Sequence, residues 1–126
     1  LIETLDDYLA IAGELGTDAP RLALDTGHCL VTGEREPAAA VAEFAPRLGT
    51  VAIEDMKRGA HLHLPFGTGD MDLPGVLAAL SAARFDGLVT VELSRESPRA
   101  DVAIPEAIAH LRAAESRVSR PMEARA

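Results

Sequence analysis

Thr50-Val51-Ala52-Ile53-Glu54-Asp55 is the stretch whose reading decides the fold. Four residues without a charge, two of them β-branched and apolar, suit a strand covered on both faces, and two carboxylates follow at its end. The same signature stands on either side of it. Upstream, Arg21-Leu22-Ala23-Leu24 runs into Asp25-Thr26-Gly27-His28; downstream, Leu88-Val89-Thr90-Val91 runs into Glu92. Helical periodicities separate these strands. Leu5, Tyr8, Leu9, Ala12 and Leu15 recur at helical spacing behind a capping-box-like Thr4 and Asp7, and Gly16 stops the helix. A second helix is expected from Pro37 to Leu48, with Val41, Phe44, Ala45 and Leu48 as its apolar stripe. Met56 to Met71 reads as one long loop. Asp72 then caps a third helix that buries Val76, Leu77 and Leu80, and a last helix spans roughly Ala103 to Ala114.

The order α-β-α-β-α-β-α with near-continuous apolar strands predicts an α/β fold, a parallel sheet covered by helices. Each unit is about 30 residues, as in a barrel of eight βα units over ~250 residues. Three strands cannot close a barrel and leave two edges unpaired. Two readings follow: an open three-layer domain, or the C-terminal part of something larger, with residues 1–115 in the fold and 116–126 as a polar tail. The first residue is Leu1 and not Met, which fits a start inside a longer protein.

Composition narrows the function. Lys and Arg number 12 against 20 Asp and Glu, a net charge of −8, which is the wrong sign for gripping a phosphate backbone. Aromatic residues are 3% and Trp is absent, so base-stacking platforms are scarce. No stretch approaches the ~18 apolar residues of a membrane span. The single cysteine, Cys29, excludes an internal disulfide and a cysteine zinc cluster, and a reducing cytoplasm is the default compartment. The expected partner is a small molecule, with neither nucleic acid nor membrane.

In parallel α/β folds, ligands gather where the strands end. Each strand here delivers polar residues to that point: Asp25 and His28 from the first, Glu54 and Asp55 with Arg58, His61 and His63 from the second, Glu92 with Ser94 and Arg95 from the third. Carboxylates and imidazoles converging from separate strands suit a divalent cation, and a nearby carboxylate can move a proton. Each residue also has a structural explanation. Asp25 can cap a helix, His28 can bond backbone, and Lys57-Arg58 can be a solvated pair. Glu92 can be a strand-end carboxylate with an ordinary partner. His61-Leu62-His63 alternates, so both imidazoles share a face in an extended segment, a weak metal signal alone. Gly67-Thr68-Gly69-Asp70 lacks the third glycine of a dinucleotide fingerprint and reads as a tight turn.

Leu24-Asp25-Thr26-Gly27-His28-Cys29 resembles the strand-six motif of the sugar phosphate isomerase/epimerase group, the xylose isomerase-like TIM barrels. Ile53-Glu54-Asp55-Met56, the segment Pro65-Phe66-Gly67-Thr68-Gly69-Asp70-Met71-Asp72, and Phe85-Asp86-Gly87 through Val91-Glu92-Leu93 resemble its strands seven and eight. The similarity runs from Leu1 to about Ala114. It implies the last three βα units of an eight-stranded barrel, preceded by one helix. It also implies a divalent ion (Mn, Mg, Co or Zn) held by a Glu, an Asp, a His and a second Glu, and a sugar or sugar phosphate substrate whose proton moves next to a carbonyl. By that resemblance Asp25 is the Asp ligand, Glu92 is both ligand and acid/base, His28 contacts substrate, and Arg58 falls where some epimerases hold substrate oxygens. The family's other Glu belongs on a strand just before Leu1. The strand-seven His aligns with Ala52, which cannot ligate, so His61 or His63 is expected to replace it from the loop. On this reading the chain is an incomplete enzyme, joined to a complementing barrel half or a second copy. The alternative is a non-catalytic assembly or binding module that pairs its open edges with another chain. DNA-repair endonucleases share the barrel, but they need more metal ligands and a basic face.

Overall fold

A computed structural model describes residues 3–118. The first helix, α1 (Leu5–Leu15), opens on the expected capping box: Asp7 N–H donates to Thr4 Oγ1 while the Asp7 carboxylate accepts from Thr4 N–H. β1 (Leu22–Asp25) follows, then a short helix α2 (Thr26–Thr32), helix α3 (Pro37–Phe44) and strand β2 (Leu48–Ile53). Strands β3 (Asp55–Lys57) and β4 (Ala60–Leu64) come next, then α4 (Leu73–Ala82), β5 (Leu88–Val91) and α5 (Ala100–Val118).

β1, β2 and β5 form a parallel sheet in that order, with β2 in the middle. Asp25 lies beside Ala52, and Ala52 beside Thr90; Ile53 lies beside Val91. The pleat turns Leu24, Val51 and Ile53 toward the helices, where they are buried with Val41, Phe44, Val76 and Leu80. Residues of the opposite parity, Ala23, Thr50 and Thr90, are exposed on the other face of the sheet. Leu88 and Val89 on the outer strand β5 are exposed as well.

Four expectations change. The second helix does not reach Leu48: α3 stops at Phe44 and Ala45–Arg47 forms a 3-10 turn. Pro46 has no N–H for the helical ladder, and Leu48 instead opens β2. Helix α2 was not expected, because Thr26, Gly27, Val31 and Thr32 are weak helix formers. Packing and a cap override them: Thr26, Gly27, Cys29 and Leu30 are buried, and Asp25 Oδ1 accepts from His28 N–H at 3.1 Å. The long loop from Met56 to Met71 contains most of an antiparallel hairpin, β3 with β4, turned at Gly59 with φ +70°. Asp72 caps α4 as expected, accepting from Gly75 N–H at 3.1 Å. α5 runs to Val118, so the first residues of the expected tail, 116–118, are helical; the rest of the tail lies outside the described residues. Among the described residues no helix is long and apolar enough to cross a membrane.

Candidate metal centre

Strand parity builds the site. Asp25 ends β1 on the face of Ala23. Glu54 follows β2 on the parity of Thr50 and Ala52, and Glu92 follows β5 on the parity of Thr90. The ladder continues past the strand ends, since Glu92 N–H donates to Ile53 carbonyl at 3.1 Å. Three carboxylates thus stand at the C-terminal ends of three adjacent parallel strands. The hairpin adds His63 and α2 adds His28. Two groups of donor atoms result, each within 4.8 Å of one another: Asp25, His28 and Glu54, and Glu54, His63 and Glu92. Glu54 belongs to both.

Glu54 is the buried member, its side chain 0% exposed against 29% for Asp25 and 44% for Glu92. Oε2 meets His63 Nδ1, whereas Oε1 is buried without a hydrogen-bond partner. Burial, then the neighbouring Asp25 carboxylate, then the charge of Glu92, push the Glu54 carboxyl up to about 8. Room for this carboxylate comes from Gly27. A Cβ at that position would lie 2.5 Å from Glu54 Oε1 and 2.7 Å from Cδ. Glu92 accepts from Ser94 Oγ at 2.7 Å and lies 3.8 Å from His63 Nδ1. His28, more than half exposed, has Nε2 3.8 Å from Asp25 Oδ2.

Among the described residues, Asp25 and His28 thus stand on one side of Glu54 and His63 and Glu92 on the other; Asp25 and Glu92 fall in separate donor groups linked by Glu54. Asp25 caps helix α2 and also stands in one of the donor groups. His61 belongs to neither donor group; its ring lies edge-on to His28 with centroids 4.8 Å apart, and 5.1 Å from that of His63. Arg58 turns elsewhere, its guanidinium forked onto Glu36 at 2.7 and 2.8 Å. Glu54 is a rim residue by sequence, with no role assigned to it from sequence alone. The available signal was spacing: Glu54 lies two residues after Ala52, hence on the same face and one step nearer the rim. Asp55, also buried, accepts from Gly67, Gly69 and Met71 N–H at 2.8, 2.9 and 3.0 Å and so fixes the segment after the hairpin. Cys29 is buried, and desolvation, then Glu34 and Asp25, push its thiol up to about 11, away from reactivity.

Among curated proteins none matches the chain. Solved structures do. A xylose isomerase domain protein from Planctomyces limnophilus aligns with a TM-score of 0.75 at 17% identity, over 93% of this chain and 45% of its own. An L-ribulose 3-epimerase aligns at 0.68 and 22% identity, over 98% and 48%. D-allulose 3-epimerase from Methylomonas sp., in complex with D-allulose, aligns at 0.58 and 24% identity, over 95% and 43%. The chain spans about half the length of these structures, and at such identities they establish its fold, an α/β arrangement forming part of a TIM barrel. The sequence profile of one family matches residues 1–114. That match shows the family: the chain belongs to the xylose isomerase-like TIM barrels.

Proposed function

We propose that the chain supplies the C-terminal strands of a divalent-metal-dependent sugar or sugar phosphate isomerase or epimerase, which moves a proton next to a carbonyl. The observation that carries this is the convergence of Asp25 and Glu92, from strands on either side of β2, upon Glu54, whose Oε1 is buried and unpartnered. An orphaned, fully buried carboxylate oxygen beside two further carboxylates fits the chemistry of a cation site. Asp25 and Glu92 would hold the ion, oxygen donors with imidazole nearby, a set that admits Mn2+, Mg2+, Co2+ or Zn2+. Once bound, the ion supplies positive charge that polarises a substrate carbonyl or hydroxyl.

The remaining chemistry belongs to the side chains. Glu92 is part exposed and reaches the open face, so its carboxylate takes and returns the proton at the substrate carbon. Ser94 Oγ holds Glu92 Oε1 in place. The exposed His28 ring, beside Asp25, offers a donor to a substrate oxygen. A proton relay across one carbon needs a second carboxylate on the far side, and the free edge of β1 is where the strand bearing it pairs. Arg58 is committed to Glu36 and has no role at the reacting atoms in this reading. The D-allulose bound to one neighbour supports a free ketose as the first substrate to try.

The test is solvent exchange: the Mn2+-loaded chain, alone and mixed with a separately expressed N-terminal half of a family barrel, is incubated with D-allulose or D-fructose in D2O. Deuterium appearing next to the carbonyl, and lost in Glu92→Gln, supports the reading; no Mn2+ binding and no exchange in either preparation contradicts it. One observation favours a non-catalytic assembly module instead. Among the described residues both edges of the sheet are open, with Leu88 and Val89 exposed on β5 and a cleft of about 330 Å³ along β1. A stable oligomer that forms without metal and ignores sugars would favour that module.

A further inference from the structure

Ala52 offers β2 no donor atom, and Glu54 stands on the same face one step nearer the rim. Three features of Glu54 point to a ligand and not to a packed carboxylate. Its Oε1 is buried with no hydrogen-bond partner. Its other oxygen is already taken by His63 Nδ1, which leaves Oε1 as the free donor atom. It is the one residue common to both donor groups, between Asp25 and His28 on one side and His63 and Glu92 on the other. Gly27 supports the same conclusion from the opposite wall, since only a residue without Cβ leaves space for this carboxylate.

We infer that Glu54, which follows β2, is the ligand contributed by that strand end, donating Oε1 to the cation, and that His63 is its positioning residue. This rests on the metal-dependent reading above. An imidazole whose Nδ1 proton is spent on Glu54 Oε2 fixes the rotamer of that carboxylate, the usual task of a group behind a ligand. Three carboxylates in the ligand set, Asp25, Glu54 and Glu92, select a hard, oxygen-preferring divalent cation such as Mn2+ or Mg2+.

The experiment is Mn2+ binding to the full chain, followed by electron paramagnetic resonance and calorimetry, with far-UV circular dichroism checking that each variant is folded. Glu54→Gln is expected to weaken Mn2+ binding at least tenfold. Gly27→Ala, which removes no donor atom but fills the space of the carboxylate, is expected to weaken it comparably. His63→Ala is expected to weaken it by roughly 10- to 100-fold and His63→Gln, which keeps an N–H donor, to restore part of the loss. Any imidazole nitrogen coupling of the bound Mn2+ should be unchanged in His63→Ala. Loss of a nitrogen coupling in that variant would make His63 the ligand and overturn its positioning role. Glu54→Gln binding Mn2+ within twofold of the unmutated chain, while Asp25→Asn loses it, would overturn the assignment of Glu54 and leave the metal-dependent reading standing. An unmutated chain that binds no Mn2+, or binds it no better than Asp25→Asn, would remove both.

Discussion

Glu54 and Asp55 are neighbours in the chain, both carboxylates and both buried, at 1% and 2% exposure. Their surroundings differ in every other respect. Asp55 accepts three backbone N–H groups and both of its oxygens are satisfied. Glu54 has one oxygen on His63 and one on nothing, with two further carboxylates close by. A buried charge that is fully hydrogen-bonded serves the fold, whereas one left with an open oxygen and like charges around it is held there against its own solvation. The pair separates structure from function within two adjacent positions.

Breaking the Asp55 side of the comparison should cost most. Asp55→Ala leaves the N–H groups of Gly67, Gly69 and Met71 without their acceptor. Hydrogen bonds to charged groups contribute about 1.5–3 kcal/mol each, so urea denaturation should show a loss of about 3 kcal/mol or more; a loss below about 1 kcal/mol would contradict this role. Gly69→Ala attacks the same anchor by volume. Its Cβ would lie 2.5 Å from Asp55 Cγ and 2.7 Å from the Met56 carbonyl oxygen. A loss of about 1–3 kcal/mol is expected, as for overpacked sites, and unchanged stability would contradict the close approach.

Glu54 should behave in the opposite sense. Its carboxyl is raised from an ordinary value of 4.5 to about 8, so the folded metal-free chain holds this proton more tightly than the unfolded chain does. That contribution to stability is fully present below pH 4.5 and is lost as the pH rises through about 8. Metal-free Glu54→Gln should therefore gain stability relative to the unmutated chain as the pH rises from 5 to 8.5, measured by urea midpoints; parallel pH profiles would show that Glu54 carries no such burden. The smallest effect belongs to Arg58→Ala. Its guanidinium is exposed and paired with Glu36 away from the carboxylates, so Mn2+ affinity should stay within twofold, and a tenfold loss would place Arg58 at the site after all.

Much of this was legible in the amino-acid order. The three strands, the parallel α/β layout and the placing of Asp25 and Glu92 at strand ends follow from apolar runs that each end in an acid. The caps at Thr4 and Asp72 follow from side chains at fixed offsets. Helix α2 was not legible, because Thr26, Gly27, Val31 and Thr32 have weak helical propensity and the helix exists through burial and the Asp25 cap. Nor was the difference between Glu54 and Asp55, since it arises from contacts 9 to 16 residues away, with His63 in the hairpin and with the backbone beyond it. The space at Gly27 likewise appears only when β2 and α2 are side by side.

The central claim is that carboxylates from β1 and β5 share one cation. It is tested most directly by a double-mutant cycle on Mn2+ binding with Asp25→Asn and Glu92→Gln. One Mn2+ per chain is expected, each single variant weakening it at least tenfold and the double variant losing clearly less than the product of the two. Independent, fully multiplicative losses, or variants that bind as the unmutated chain does, would contradict a shared ion.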